Sequence, residues 1–168
     1  HPGETAQLAA IAQANIALIN NAQREHQEFM TTVAAVAEEH SDAIRALPKD
    51  GVAVFPADSE FASVWREAAA ERQVIDFVLS SPQMEIKASV AGRLLSNGLV
   101  QVQAEQGSIE IRLNTLGSHN VRNALAASAV ALAAGVGLEK IKQGLETFSP
   151  VNGRMQAKKL DPNHTLID

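Results

Sequence analysis

Apolar positions along the chain follow two periods, and they change over near residue 83. Before that point, helix-spaced stretches alternate with short continuous apolar runs. In "GETAQLAAIAQ" (3–13) Leu8, Ile11 and the alanines fall on one side at helical spacing. "NIALINN" (15–21) is an apolar run that ends abruptly in two asparagines, as a buried parallel strand does. "TTVAAVAEEHSDAIRAL" (31–47) predicts a helix with a stripe of Val33, Val36, Ala37, Ile44 and Leu47, stopped by Pro48. "GVAVFPAD" (51–58) predicts a second buried strand. "SEFASVWREAAAER" (59–72) predicts a helix capped by Ser59, and "QVIDFVLS" (73–80) a third strand.

From Gln83 to Asn114 the period drops to two. "MEIKASVAG", "LVQVQAE" and "SIEIRL" predict three short strands, with turn signals at Ser96-Asn97-Gly98 and Gln106-Gly107. Two helices follow, at about 118–134 and in "LEKIKQGLETF" (138–148). Strands joined by helices of this length imply right-handed crossovers and a parallel sheet covered on both faces. The expected fold is α/β: a mostly parallel, Rossmann-like or P-loop-type sheet flanked by helices, with a small antiparallel β insertion at about 83–114. There is no internal repeat, and 168 residues suit one domain.

Composition narrows the partners. Nineteen acidic against fourteen basic residues leave a net charge of −5, and no basic cluster is longer than Lys158-Lys159. A nucleic-acid footprint normally needs a basic face, so no nucleic-acid partner is expected. The absence of cysteine removes disulfides, thiolate metal sites and a thiol nucleophile, and fits a reducing cytoplasm. No apolar run approaches membrane-spanning length, and "HPGETAQLAAIAQ" lacks the pattern of a signal peptide.

In open α/β sheets ligands sit beyond the carboxyl ends of the parallel strands. The polar residues there are Asn20, Asn21 and His26 after the first strand and Asp58 after the second. His26 is either a metal or phosphate ligand at the crevice rim or a surface histidine in a polar loop. The stretch "GSHNVRNALAASAVALAAG" (117–135) raises a sharper question. With Ser118 or His119 as N-cap, Asn120 and Asn123 share a face at the start of a helix, with His119 beside Asn123. A helix start attracts anions, and an Asn amide offers the donor and acceptor that an adenine edge or a ribose requires. Capping plus a bond to a neighbouring loop is the plainer account. Arg154, in the turn "PVNGRMQ" (150–156), is either a phosphate or ribose clamp or a solvated arginine. The sequence contains no G-x-x-x-x-G-K-[ST], and no glycine is followed by lysine. A phosphate-cradling loop of that kind would have to lie outside this chain.

Taken in order, several segments resemble the central domain of the Mur ligases. They are "HPGE" (1–4), "ALINNAQREHQEF" (17–29), "LPKDGVAVFPAD" (47–58), "LGSHNVRNALAA" (116–127), and "VNGRMQ" followed by "LID" (151–168). The resemblance spans essentially the whole chain. H-N-x-x-N-A-L-A-A is its most specific motif, though all the family shares something like it. The start "HPGE" and the N-N-x-x-x-x-H spacing favour the branch that adds D-Ala-D-Ala to UDP-MurNAc-tripeptide.

The resemblance implies an ATP-dependent amide ligase of peptidoglycan synthesis, with ATP and Mg2+ as cofactors and those two compounds as substrates. It implies that His26 helps hold magnesium at the γ-phosphate and that Asn120 and Asn123 contact the adenine side of ATP. By the same carry-over, His119 belongs to the nucleotide site and Arg154 contacts the nucleotide. Asp168 falls at or beside the acidic residue opening the family's D-D-x-Y-N-A-N-P stretch. Residues 1–168 are expected to be a central domain truncated at both ends, without the phosphate loop and the flanking N- and C-terminal domains, and inactive alone. Another Mur-type or folylpolyglutamate-type ligase would share these residues, and a stand-alone interaction domain is the non-enzymatic alternative. The family often carries a carbamylated lysine eight residues before the proline of "LP"; that position here is His40, which either replaces the carbamate ligand or marks a branch without one, the plainer reading being an exposed helix residue with no assigned role.

Overall fold

Val52–Pro56 forms a strand, β2, that is buried at all five positions, and its two faces build two separate cores. A computed structural model of the chain describes residues 2–24, 30–81, 86–115 and 117–149, and the backbone of 157–161 and 164–167. Val52 and Val54 point to one side of the sheet, and Ala53 and Phe55 to the other. An all-apolar strand thus still alternates, but between two hydrophobic layers rather than between core and water.

β2 lies between β1 (Ile16–Leu18) and β3 (Gln73–Leu79), parallel to both. β4 (Val90–Leu94) is parallel to β3, and β5 (Val100–Ala104) and β6 (Gly107–Ile111) follow antiparallel. The sheet therefore runs β1-β2-β3-β4-β5-β6, and the antiparallel meander continues the parallel part through β4. An antiparallel pair, β7 (Ala157–Asp161) and β8 (His164–Ile167), follows later in the chain.

One layer packs α2 (Val33–Arg45) and α3 (Ala62–Ala69) on Ala17, Ile19, Ala53 and Phe55. The Trp65 ring is fully buried there, and its indole N–H donates to the Ala37 carbonyl at 3.0 Å. The other layer packs α4 (Ser118–Ala133) and α5 (Leu138–Thr147) on Val54, Phe77, Val90, Val102 and Ile111. α4 comes very close to the sheet: a β-carbon on Gly92 would stand 2.5 Å from both methyls of Leu125. The far face of the meander is wet, with Arg93, Gln103, Ser108 and Glu110 exposed.

α1 (Glu4–Ala12) packs mainly on α2, and the Leu8 and Ile11 side set apart by the spacing is 66% and 79% exposed. Three local expectations need correction. Ser59 does not cap α3, which starts at Ala62; instead its Oγ accepts from the Phe61 N–H at 3.2 Å within the preceding turn. The first meander strand begins at Val90, and the described residues 86–89 lead into it without being strand. The N-cap of α4 is Gly117 rather than Ser118 or His119. The helix at 31–47 appears as α2, capped by the Thr32 side chain, which accepts from the Ala35 N–H at 3.1 Å.

Candidate functional site

The start of α4 has an unusual cap. Gly117 sits at φ 91° and ψ 150°, and as the N-cap residue it supplies no side-chain bond to the opening N–H groups. A positive φ suits glycine, and a β-carbon there would also come within 2.7 Å of the His119 ring. His119 is thus folded back over Gly117.

Asn123, in the second turn of α4, reaches the carboxyl end of β1. The N–H of Ile19 bonds to the Val54 carbonyl at 2.9 Å, extending β1 until the chain turns out into Asn20 and Asn21. The Asn20 Nδ2 group donates to Asn123 Oδ1 at 3.0 Å. Both residues are exposed. Asn120, one turn earlier on the same face, is half-buried. β2 ends two residues before Asp58, and Arg122 reaches that carboxylate with both terminal nitrogens, Nη1 to Oδ1 at 3.0 Å and Nη2 to Oδ2. The Asp58 side chain is only 11% exposed and that of Arg122 42%. The hydrogen bond to Asp58 raises the Arg122 pKa above its ordinary value, against the effect of burial.

A cleft of about 340 Å³ opens beside this junction, lined by Thr5, Asn20, Asn21 and His40 with apolar Leu18, Ile19 and Ala43. His40 is half-buried and faces this cleft, not bulk solvent alone. The residue before it, Glu39, holds the start of α1: its two oxygens accept from the N–H groups of Gly3 and Thr5 at 2.8 and 2.9 Å. The cleft therefore gathers the start of α1, the end of β1 and the middle of α2, next to the start of α4.

Of the residues singled out in the sequence, Asn20, Asn21 and Asn123 come together at this end of the sheet, Asp58 joins them through Arg122, and His119 and Asn120 stand in the opening turn of α4. His26, Arg154 and Asp168 lie outside the described residues. Sequence reasoning passed over Arg122, Glu39 and Thr5. Arg122 stands inside the H-N-x-x-N motif, and its charge opposite a strand-end aspartate was the available signal. Among the described residues no helix is long and apolar enough to cross a membrane.

Known proteins resemble the chain along its whole length. The family described as Mur ligase middle domain matches residues 1–131. The UDP-N-acetylmuramoyl-tripeptide–D-alanyl-D-alanine ligase of Haemophilus influenzae is 33% identical over 168 residues, covering 100% of this chain and 36% of the relative. The Escherichia coli enzyme of the same name is 31% identical, covering 100% of this chain and 37% of the relative. A crystal structure of MurF from Acinetobacter baumannii superposes with a TM-score of 0.87 at 32% identity, over 100% of this chain and 36% of that one. The chain thus spans little more than a third of the length of these relatives. It belongs to the Mur ligase middle domain family.

Proposed function

We propose that this chain is the nucleotide-holding part of an ATP-dependent amide ligase that joins D-Ala-D-Ala to UDP-MurNAc-tripeptide in peptidoglycan synthesis. The observation that carries the reading is similarity along the entire chain to ligases named for that reaction. The geometry supports it, because the amide pair Asn20–Asn123 and the start of α4 meet where α/β sheets take ligands.

In such a ligase the γ-phosphate passes to the substrate carboxylate, giving an acyl phosphate. The amine of D-Ala-D-Ala attacks that carbonyl, and the tetrahedral intermediate collapses to amide and phosphate. Positioning and charge neutralisation carry most of the catalysis. Within this chain we assign Asn120, Asn123 and Arg154 to the nucleotide, with His119 beside them and Asp168 at the edge of the site. None of them is a general base.

Magnesium would neutralise the phosphate charge, and His26 is our assignment for helping to hold it. Among the described residues no group of three or more His, Asp or Glu side chains could hold a metal ion. The cleft instead offers an imidazole, amide oxygens and a hydroxyl. That set lacks the carboxylate magnesium usually takes, so the cleft alone does not make a magnesium site and the ion would depend largely on substrate phosphates and waters. We place the reaction in the cytoplasm, in keeping with a chain free of cysteine.

ADP release by the intact protein, assayed with D-Ala-D-Ala and in parallel with single amino acids as the amine, tests the reading. Turnover only with the dipeptide is expected. Turnover with a single amino acid and none with the dipeptide would move the protein to another branch of the family. The chain alone should release no ADP, since its sequence holds no phosphate-cradling loop of the G-x-x-x-x-G-K-[ST] type.

A further inference from the structure

We propose that Arg122 and Asp58 form a positioning clamp, which fixes the first turns of α4 against the end of β2 so that Asn120 and Asn123 are held in place to receive the nucleotide. The inference rests on the nucleotide-site reading above and adds two residues that do not themselves touch ATP.

Several features point this way. Arg122 immediately precedes Asn123 in the chain and follows Asn120 by two residues, so anything that fixes Arg122 fixes both asparagines. Its two terminal nitrogens are already committed to the two oxygens of Asp58. A fork-to-fork pair of this kind sets orientation as well as distance. Asp58 is nearly enclosed, at 11% side-chain exposure, so its carboxylate is committed to this partner and not to a ligand in solvent.

The helix also needs such a device. It opens on Gly117 without a side-chain cap. Its buried face is largely smooth, with Ala124, Ala126, Ser128 and Ala129 beside Val121 and Leu125. Apart from Leu125, lodged over Gly92, this face of small residues offers few knobs to resist a twist of the opening turns. The Arg122–Asp58 pair and the Asn20–Asn123 bond add that registration, one from the end of each of two neighbouring parallel strands.

The test uses the intact protein and compares KM for ATP, KM for D-Ala-D-Ala and thermal midpoint in Arg122→Ala, Arg122→Lys, Asn123→Ala and the double variant Arg122→Ala/Asn123→Ala. Arg122→Lys keeps the charge and most of the packing but loses the fork, which guards against a variant that merely fails to fold. Expected is a rise of about tenfold in KM for ATP for either Arg122 variant, with KM for the dipeptide unmoved, equivalent to about 1.4 kcal/mol. Because Arg122 acts in part through Asn123, removing it in the Asn123→Ala background should cost less than in the wild type, the remainder coming through Asn120. The exchange Asp58→Arg/Arg122→Asp should restore part of the ATP affinity. A fall in thermal midpoint with KM for ATP unchanged would make the pair merely structural and overturn the clamp. Fully additive effects of Arg122→Ala and Asn123→Ala would overturn it too, since the two residues would then act separately. If Asn123→Ala itself leaves KM for ATP unchanged, the nucleotide-site reading fails and the clamp with it.

Discussion

Asn20 and Asn123 stand 103 residues apart in the chain, and their side-chain amides meet in a hydrogen bond of 3.0 Å. One follows β1 and the other lies in the second turn of α4, so the bond ties a strand end to a helix start. Both amides are exposed, and exposed polar pairs contribute little to folding. Asn20→Ala should therefore change the unfolding free energy by no more than about 0.5 kcal/mol. If the pair orients Asn123 for a nucleotide, the same change should weaken ATP binding roughly three- to tenfold, the worth of one neutral hydrogen bond. Calorimetric titration of the intact protein with magnesium and ATP, alongside thermal unfolding, separates the two effects. A loss of stability without a loss of affinity would count against the pairing as part of the site.

Gly92 sits under Leu125 with no room for a side chain. A β-carbon would lie 2.5 Å from both Leu125 methyls, and Leu125 is fully buried. Gly92→Ala should cost about 1–3 kcal/mol through overpacking, measured by urea unfolding. In Leu125→Ala, which alone loses about 2–5 kcal/mol, the added methyl should cost little or even recover stability. An equal Gly92→Ala penalty in both backgrounds would show that the close approach of α4 to the sheet is not what the glycine serves.

The elements of this fold were largely legible because each hydrophobic run is bounded by its own signal. β2 read as a buried strand since all of Val52–Pro56 is apolar, and α2 ended near Pro48 as proline requires. What period cannot show is which face meets which neighbour. The Leu8 and Ile11 stripe predicted the helix but not that α1 would lie on α2 with those residues exposed. At the site, the motif around α4 and the strand-end residues Asn20 and Asp58 could be named one by one. Their pairing across 103 and 64 residues could not, because it depends on the crossovers that bring β1, β2 and α4 to one end of the sheet. Arg122 was missed for the same reason: its partner is visible only in space.

Asp76 is a buried carboxylate in β3 with every partner it needs. It accepts from the Ser89 N–H and O–H at 2.7 and 2.8 Å and from Arg66 at 2.6 Å. Arg66 in turn lies over the Phe55 ring, 5.4 Å from its centroid. Burial pushes the Asp76 pKa up, but the bonds from Ser89 and Arg66 outweigh it and hold the carboxyl below its ordinary value. A depressed folded pKa gives stability that is present above the unfolded value and lost as pH falls through the folded one. Stability should accordingly decline below about pH 4, and Asp76→Asn should flatten that decline while costing about 1–2 kcal/mol at neutral pH. Urea unfolding at pH 3 to 7 measures both. An unchanged acid slope in Asp76→Asn would assign the decline to other carboxylates.

Glu39 makes the analogous contact at the start of α1, but there the consequence is local. α1 buries none of its residues, so few apolar contacts hold it. Its opening N–H groups at Gly3 and Thr5 are satisfied by the Glu39 carboxylate instead. A carboxylate at a helix start also meets the positive end of the helix dipole. Burial pushes the Glu39 pKa up, yet the bonds from Gly3 and Thr5 bring it below the ordinary value. The tether is thus complete above the usual glutamate range and fails as pH drops through the depressed folded value. Glu39→Gln keeps one acceptor oxygen and loses the charge, so it should loosen α1 at every pH. Amide hydrogen exchange of residues 4–12 reads this directly. Exchange should accelerate severalfold in Glu39→Gln at neutral pH while the β2 amides stay protected, since a segment with so few buried contacts opens without the core. Wild-type protein should show the same acceleration only below about pH 4. Because Thr5 lines the cleft beside Asn20 and His40, loosening α1 should also open that cleft on one side. Equal exchange in both proteins would mean that α1 is held by its packing on α2 and not by Glu39.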